Sequence, residues 1–168
     1  HNSVPDVFNQ VLASAQTEVI ITTPYFVPST AVQEQIRSTA LRGVRVTMIF
    51  PRKNDSRFVA LASHSFYRQL LRAGVRVMEY GPGLLHAKTL TVDGQLCFMG
   101  SANLDRRSFE LNFENNLLFY DDELTADVRD RQQSYMVQSI EITLDEVENW
   151  SWRRRLLNNL VATLGPVL

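Results

Sequence analysis

The amino-acid sequence predicts an α/β domain in which a mixed β-sheet is covered by helices on both faces. Helical and strand patterns alternate through the first half of the chain, and an Asp93-Gly94 pair then marks a tight hairpin. A helical pattern returns between Glu123 and Ser139. Alternation of helices and strands indicates parallel strands joined by crossover helices, whereas a hairpin indicates antiparallel pairing. The sheet is therefore expected to contain both kinds of strand pair.

The first half of the chain predicts three helices, each followed by a strand. Ser3 is a suitable N-cap for the first helix, whose apolar residues recur at helical spacing as far as Gln16. Ser29 caps the second helix, and Gly43 and Gly74 end the second and third, since glycine is favoured directly after a helix. The third helix is predicted at 57–73, and the strands at 18–23, 44–50 and 75–80.

Antiparallel pairing is predicted in the second half of the chain. Gly81-Pro82-Gly83 leads into an extended run at 84–92, and the chain returns after Asp93-Gly94 as a strand at 96–99. The stretch 110–120 alternates two sets of side chains, a pattern that predicts a strand near the centre of the sheet.

Composition excludes several classes of protein. Lysine plus arginine number 17 and aspartate plus glutamate 18, so no bulk positive charge is available to hold nucleic acid. The single cysteine, Cys97, permits neither an internal disulfide nor a thiolate cluster. No apolar run reaches the ~20 residues that span a bilayer. The chain begins at His1 without a signal-peptide pattern, and we expect it to be a piece of a longer protein.

Two residues suited to phosphoryl transfer lie two positions apart in the run 84–92. Side chains at this spacing project from the same face of a strand, about 6.5–7 Å apart, so His86 and Lys88 are expected to bind one ligand together. Histidine can act as a nucleophile or proton carrier near neutral pH, while lysine supplies a cation for a phosphate oxygen. Taken alone, such a pair more often belongs to an ordinary half-exposed strand face.

The residues that follow change this interpretation. Together they form the pattern His86-x-Lys88-x(4)-Asp93-x(6)-Gly100-Ser101-x-Asn103. This pattern resembles the signature of the phospholipase D superfamily. Its residue types fit the chemistry, because small Gly100 and Ser101 let a backbone approach a phosphate and Asn103 adds an amide donor for developing charge. The sequence therefore predicts a phosphate-binding site around His86.

Further segments resemble the C-terminal half of bacterial cardiolipin synthases. They are Thr23-Pro24-Tyr25-Phe26-Val27-Pro28-Ser29, Pro51-Arg52-Lys53-Asn54-Asp55, Gly83-Leu84-Leu85-His86, Asn103-Leu104-Asp105 with Arg107-Ser108, and Leu111-Asn112-Phe113-Glu114. In that family the full chain has N-terminal membrane segments and two copies of the motif, one per half, which face each other across a shared cleft. This chain has one copy. His64 has no lysine two residues on and His1 lies at a chain end, so surface or packing roles are expected for both.

The resemblance implies a role for each candidate residue. By analogy His86 is the acid–base histidine, and Glu114 hydrogen-bonds its ring and favours the imidazolium form. Glu114 alternates onto the polar side of its predicted strand, where a buried carboxylate would need a partner. Asp93 is expected to be structural, because it lies in the hairpin turn on the face opposite His86. The residues expected to hold phosphate are Lys88, Ser101, Asn103 and Arg107; Gly100 is structural, and Arg52, Lys53 and Arg106 are contacts or solvated charges.

The resemblance also implies an activity, in which a phosphatidyl group passes between two phosphatidylglycerol molecules through a phosphohistidine, without metal or other cofactor. The implied partners are anionic lipids, a membrane surface and the N-terminal half, and the full-length protein would lie in the bacterial inner membrane. Two alternatives stay open. One is a homodimeric phosphodiesterase or nuclease of the superfamily, against which the net charge of -1 argues. The other is a non-catalytic module that binds lipid phosphate.

The chain is divided into a phospholipase D-like catalytic half-domain at 1–148 and a basic amphipathic tail at 149–168. In the tail, Trp150 and Trp152 precede three arginines, and apolar residues then recur at helical spacing. Two interpretations are open. The tail lies on an anionic membrane surface, or its apolar stripe packs on the domain while its arginines are solvated.

Overall fold

A computed structural model of the chain describes residues 3–110 and 112–163. The first half contains α1 (Ser3–Ser14), β1 (Glu18–Thr22), β2 (Phe26–Val27), α2 (Thr30–Leu41), β3 (Arg45–Pro51), α3 (Arg57–Arg72) and β4 (Arg76–Tyr80). The second half contains β5 (Thr89–Val92), β6 (Leu96–Gly100), β7 (Leu104–Asp105), α4 (Arg106–Glu110), β8 (Asn116–Tyr120), α5 (Asp122–Val137), β9 (Ser139–Ile142), α6 (Leu144–Glu148) and α7 (Trp152–Thr163).

Seven strands form the main sheet, in the order β8-β6-β5-β1-β3-β4-β9. Strands β1, β3 and β4 are parallel, because helices α2 and α3 carry the chain back between them. The other neighbouring strands pair antiparallel. The predicted mixed sheet is confirmed. Strands β2 and β7 form a separate parallel pair, which joins two loops above the sheet.

Helices cover both faces of the sheet, as predicted. Val19 and Ile21 of β1 belong to the larger apolar core, which also contains buried residues of α1, α2 and α3. Ile20 points the other way and lies in a smaller core, against which Tyr135 and Met136 of α5 pack. Alternate side chains of one strand thus reach opposite faces, and both faces are apolar because both are covered.

The ends of the helices follow local signals in the sequence. The Ser29 side chain accepts a hydrogen bond from the backbone N–H of Val32, at 3.4 Å, and caps α2. After α2 and α3 the chain passes through Gly43 and Gly74 with positive φ angles of 93° and 87°. These helix boundaries are confirmed to within about two residues, which is the usual spread of helix assignments.

Asp93 fixes the β5–β6 hairpin to the turn that precedes β1. Its carboxylate accepts hydrogen bonds from the backbone N–H groups of Gln16, Thr17 and Glu18, each at 2.8 Å. Burial opposes ionisation of Asp93, but these bonds outweigh it and lower the pKa of Asp93 below its ordinary value. The side chain lies at the opposite end of β5 from Lys88, and its contacts serve the fold.

The prediction of a central strand at 110–120 is wrong. Strand β8 begins only at Asn116, and it lies at the edge of the sheet with β6 as its one paired neighbour. Leu117 and Leu118, on opposite faces of β8, are 53% and 48% exposed. Alternation along a strand fixes which side chains share a face, but strand order depends on long-range pairing that it does not encode. Strand β9, at the other edge, has no counterpart in the sequence-based prediction.

The tail forms helix α7, which packs on α3. Val161 is buried in a small apolar cluster with Ala62 and Val27. The side of α7 away from Val161 exposes large apolar side chains, namely those of Trp152, Leu156 and Leu160, and Leu157, one turn before Val161, is half-exposed. Packing therefore accounts for one face of the tail, and contact of the exposed stripe with a membrane stays a prediction. Among the residues described, no helix combines the length and apolar character needed to cross a bilayer.

Candidate active site

His86 and Lys88 lie in an extended segment that precedes β5, not on the strand itself, so the strand predicted from residue 84 begins too early. The backbone still alternates. Leu85 is buried against Ile20 and Ile49 of the sheet, and Ala87 packs against the same cluster. His86 and Lys88 therefore project together to the other side. Their placement depends on the apolar anchors between them rather than on a hydrogen-bonded ladder.

The two side chains are in contact. The Lys88 Nζ atom lies 2.9 Å from His86 Nδ1 and donates to the His86 carbonyl oxygen, also at 2.9 Å. The same Nζ atom lies 3.4 Å from His86 Nε2, so the lysine faces both ring nitrogens, whose donor and acceptor roles depend on the tautomer. The ring is exposed and can be reached by a substrate. The pair can donate a proton and a fixed positive charge at one point.

Carboxylates surround the half-buried lysine. Burial lowers the pKa of Lys88 below its ordinary value, whereas the negative charges of Glu114, Asp55 and Asp105 raise it. Burial also raises the pKa of Asp105, although Ser108 donates a backbone N–H to that carboxylate at 2.7 Å. The site thus contains more carboxylates around Lys88 than the sequence motif alone indicates. The carboxylates help Lys88 to keep its charge in a partly desolvated position.

Tyr25 and Asp55 belong to the site, and the sequence reasoning gave neither a role. The Tyr25 ring meets the His86 ring edge to face at 6.2 Å, and its hydroxyl donates to Asp55 at 2.7 Å. Burial and the Asp55 carboxylate raise the pKa of Tyr25 to about 12, so the phenol stays neutral. The sequence feature that could have indicated a role for Tyr25 is the pair Pro24 and Pro28, because prolines on both sides of Tyr25 exclude this segment from the main sheet.

Glu114 does not hydrogen-bond His86, which corrects the expectation drawn from the resemblance. It precedes β8, and its carboxylate accepts hydrogen bonds from the Ser101 hydroxyl and, at 3.1 Å, from the Asn112 side chain. The Ser101 hydroxyl in turn accepts the backbone N–H of Asn115 at 2.9 Å. Ser101 therefore closes the loop between β6 and β8, and Glu114 acts on the site through the charge of Lys88.

Gly100 allows β6 and β8 to approach closely. A Cβ atom at this position would collide with the carbonyl oxygen of Asn115 and with Asn116. The backbone N–H of Ser101 donates to the same Asn115 carbonyl, at 2.9 Å. The sequence predicts close approach of a phosphate at Gly100; the close approach that the structure shows is by the neighbouring strand.

Asn103 lies between β6 and β7, beside the Tyr25 loop. Strand β7 pairs with β2, and the backbone N–H of Leu104 donates to Thr23 Oγ1 at 3.4 Å. The Asn103 Oδ1 atom is buried and has no hydrogen-bond partner within the described ranges. This oxygen can accept a hydrogen bond from a ligand, whereas a phosphate oxygen requires the Nδ2 donor of the same amide. Arg107 is exposed on α4, and Arg52 and Lys53 are exposed after β3.

One imidazole can attack phosphorus or protonate a leaving group, but it cannot stand on both sides of one phosphorus atom. His64, the other histidine that the structure describes, lies on α3 with its ring against Trp150 and its Nε2 atom 3.4 Å from Glu79. It has the packing role expected from the sequence and does not reach His86. Of the histidines that the structure describes, only His86 therefore lies beside Lys88.

Solved structures define the class of fold. Nuc from Salmonella typhimurium, described as a phospholipase D family member, matches with a TM-score of 0.73 and 16% identity, over 82% of this chain and 90% of that one. A phosphatidylserine synthase from Haemophilus influenzae matches with a TM-score of 0.76 and 20% identity, over 98% of this chain and 43% of that one. The fold is that of the phospholipase D family, as predicted.

Sequence comparison gives the narrower family. The family model described as "Cardiolipin synthase, PLD-like domain" matches residues 8–136, and the chain belongs to this family. Cardiolipin synthase A of Proteus mirabilis is 44% identical over 155 residues, and that of Serratia proteamaculans is 43% identical. The match covers 92% of this chain and 32% of each relative. The chain thus spans about a third of the length of these relatives.

Proposed function

We propose that this chain supplies one half of the active site of a cardiolipin synthase. The enzyme would transfer a phosphatidyl group from one phosphatidylglycerol molecule to another and release glycerol. The observation that carries the proposal is the 2.9 Å contact between Lys88 Nζ and His86 Nδ1 in a segment held by Leu85. Family membership and the identity to cardiolipin synthases support the choice of substrate.

The first step forms a phosphohistidine. A histidine of the other half attacks phosphorus, the phosphorus–oxygen bond to glycerol breaks, and His86, acting as the imidazolium, gives a ring proton to the departing glycerol oxygen and becomes neutral. Lys88 and the amide of Asn103 stabilise the charge that develops on the phosphate oxygens. Assignment of the acid–base role to His86 follows the superfamily analogy, in which the C-terminal motif protonates the leaving alcohol.

The second step reverses the proton transfers. His86, now neutral at Nε2, takes the proton from the glycerol hydroxyl of a second phosphatidylglycerol. That oxygen attacks phosphorus, the nitrogen–phosphorus bond breaks, and the nucleophilic histidine returns to its starting form. Tyr25 stays neutral, because its pKa is raised to about 12, and keeps the His86 ring in an edge-to-face contact.

The other motif-bearing half would dock beside β8. Strand β8 is an edge strand, and the apolar side chains next to it are exposed: Phe113 fully, Tyr120 to 77% and Leu117 to 53%. Such an edge is a site for association with another chain or domain. Phe113 directly precedes Glu114, so a unit that covers it would also cover the cleft side of Lys88.

A homodimer of this chain is the second candidate arrangement. The chain covers 90% of the Salmonella Nuc structure, so a protein of nearly this size exists with this fold. Two copies related by a two-fold axis would bring two His86 rings together and give phosphodiesterase activity. The net charge of -1 makes lipid a better substrate than nucleic acid.

Localisation follows from the same proposal. The substrate is a membrane lipid, and the exposed stripe on α7 lies next to three arginines, so the enzyme would act at the bacterial inner membrane. The stripe would enter the lipid interface while the arginines meet the head groups.

The test compares the chain alone with an enzyme that carries both motifs. The chain alone should make no cardiolipin from phosphatidylglycerol vesicles, and its activity should appear only when the other half is supplied. A phosphodiesterase activity that rises with the concentration of the chain alone would favour the homodimer. Cardiolipin synthesis by the chain alone, independent of its concentration, would contradict the two-histidine mechanism.

A further inference from the structure

A second cavity lies between α3, α6 and α7. Its volume is about 150 Å³, and the residues that line it include His64, Arg68, Trp150, Arg155 and Asn158. None of the described residues around His86 contributes to this lining. The cavity opens to solvent on one side and has room for a phosphate and a short hydroxylated chain.

Aromatic packing holds the wall of the cavity in place. The Trp150 ring lies 5.5 Å from the His64 ring and 6.2 Å from the Tyr67 ring. The Arg154 guanidinium lies 3.7 Å from the centre of the Trp150 ring and joins the start of α7 to this cluster. Val147 of α6 is buried beneath it. The cavity is therefore bounded by packed side chains of α3, α6 and α7 and by Trp150 of the short connection between α6 and α7.

The charge of the lining is positive. Arg68 of α3 and Arg155 of α7 line the cavity, and no aspartate or glutamate is present among the described lining residues. The nearest carboxylates are engaged elsewhere. Glu79 lies behind His64 at 3.4 Å and accepts the Tyr67 hydroxyl at 3.2 Å, and Glu148 pairs with Arg72 at 2.6 Å. Two guanidinium groups without an opposing carboxylate favour an anion, and phosphate above others because of its bidentate geometry.

Two buried polar atoms at the cavity lack partners. Asn158 is only 1% exposed, and its Oδ1 atom has no hydrogen-bond partner in the part of the chain that the structure describes. The Nδ1 atom of His64 is buried and unpaired in the same way. Both atoms are closed off from solvent, so a ligand in the cavity reaches them only when the Asn158 and His64 side chains turn toward it. Buried polar atoms are nearly always hydrogen-bonded in folded proteins, and the Asn158 oxygen requires a donor such as a hydroxyl group.

We infer that this cavity binds a small hydroxylated phosphate ester of the glycerol phosphate type. Arg68 and Arg155 hold the phosphate oxygens, and the Asn158 and His64 side chains turn on binding so that Asn158 Oδ1 accepts a hydroxyl and His64 Nδ1 hydrogen-bonds the same ligand. The ester can be a lipid head group or a free metabolite. The exposed leucines of α7 lie on the helix that carries Arg155, which would bring the cavity to a lipid surface. The inference does not depend on the activity proposed for His86.

Calorimetric titration of the 168-residue chain with sn-glycerol 3-phosphate tests this site. The titrations use the Lys88→Ala variant, so that phosphate binding at the active site does not contribute. Arg68→Gln and Arg155→Gln should each weaken binding about tenfold, as expected for loss of a charged hydrogen bond. Both arginines are exposed, and thermal unfolding verifies that the variants fold. The matched control is Arg131→Gln, an exposed arginine on α5, which covers the opposite face of the sheet.

The remaining titrations identify the source of the ester. Vesicles of phosphatidylglycerol that bind the chain less after Arg68→Gln, and that glycerol 3-phosphate displaces, would indicate a head group. Saturable binding of the free ester with no effect on vesicles would indicate a soluble ligand. Absence of saturable binding to either ligand would overturn the inference, as would equal affinity of the Arg68→Gln, Arg155→Gln and Arg131→Gln variants. Equal binding of inorganic phosphate and glycerol 3-phosphate would overturn the role of Asn158.

Discussion

At the scale of single residues, the site is organised around the charge of Lys88. Burial lowers the pKa of this lysine, and three carboxylates, those of Glu114, Asp55 and Asp105, oppose that effect. The lysine contacts the His86 ring, with its Nζ atom 2.9 Å from Nδ1 and 3.4 Å from Nε2. A cation at this position would stabilise a phosphoryl transfer, because the phosphate oxygens gain charge in the transition state.

Glu114→Gln tests the balance of charge around Lys88. The negative charge of Glu114 raises the pKa of Lys88, so its removal lowers that pKa, and Lys88 loses its proton at a lower pH. The descending limb of the rate against pH should therefore move to lower pH in the variant. Lipid transfer is measured from pH 6 to 10, with Glu123→Gln at the exposed start of α5 as control. An unchanged basic limb would contradict this role for Glu114.

At the scale of elements, the close contact of β6 with β8 positions Ser101 and Glu114. The Ser101 hydroxyl and backbone N–H both bind groups that precede β8, and Gly100 provides the space that this requires. The segment of His86 is held in a comparable way by Leu85 on the smaller core. The β6–β8 contact, which positions Glu114, and the segment of His86 thus meet at Lys88.

Gly100→Ala should separate these elements. The added methyl group would collide with backbone atoms of β8, which cannot move as a side chain can, and the expected loss of stability is about 1–3 kcal/mol. Gly83→Ala is the control, since a Cβ there meets nothing within 4 Å and the glycine does not need a positive φ angle. Urea unfolding measures both variants. A Gly100→Ala protein as stable as Gly83→Ala would show that β8 does not pack as described.

Local signals explain what the sequence could predict at this scale. Ser29, Gly43 and Gly74 bound their helices because caps act within a few residues. The edge position of β8 and the contact of Tyr25 with His86 were not predictable in this way. Both depend on pairs of segments far apart in the chain, and the alternation of side chains in 110–120 is the same for a central strand and an edge strand.

At the scale of the whole molecule, three surfaces remain exposed and each has a proposed partner. The cleft at His86 would face the second motif, the β8 edge would be covered by the unit that carries it, and α7 would meet the lipid surface. The family resemblance could be read from the motif because its residues are close in sequence. The second cavity could not, since α3 ends at Arg72 and α7 begins only at Trp152, far along the chain.

Substitution of the α7 stripe tests contact with membranes. Leu156→Ser with Leu160→Ser should reduce co-sedimentation with anionic vesicles several-fold, because each removes an exposed apolar side chain from the interface. These positions are 59% and 60% exposed, so folding should change little. Leu41→Ser, an exposed leucine at the end of α2, is the control. Deletion of the tail would be less informative, since Val161 and Trp150 pack on the domain. Unchanged co-sedimentation of the Leu156→Ser, Leu160→Ser variant would contradict contact of α7 with the membrane.

The central claim is that His86 protonates the leaving alcohol while the other half provides the nucleophile. The most direct measurement is the rate of phosphohistidine formation by His86→Ala in an enzyme that carries both motifs. With phosphatidylglycerol the rate should fall by about 10²–10⁴-fold, the usual contribution of a positioned acid. With a nitrophenyl phosphodiester, whose leaving group needs no proton, most of the rate should return. An equal loss with both substrates, or a near-normal rate with phosphatidylglycerol, would contradict the role assigned to His86.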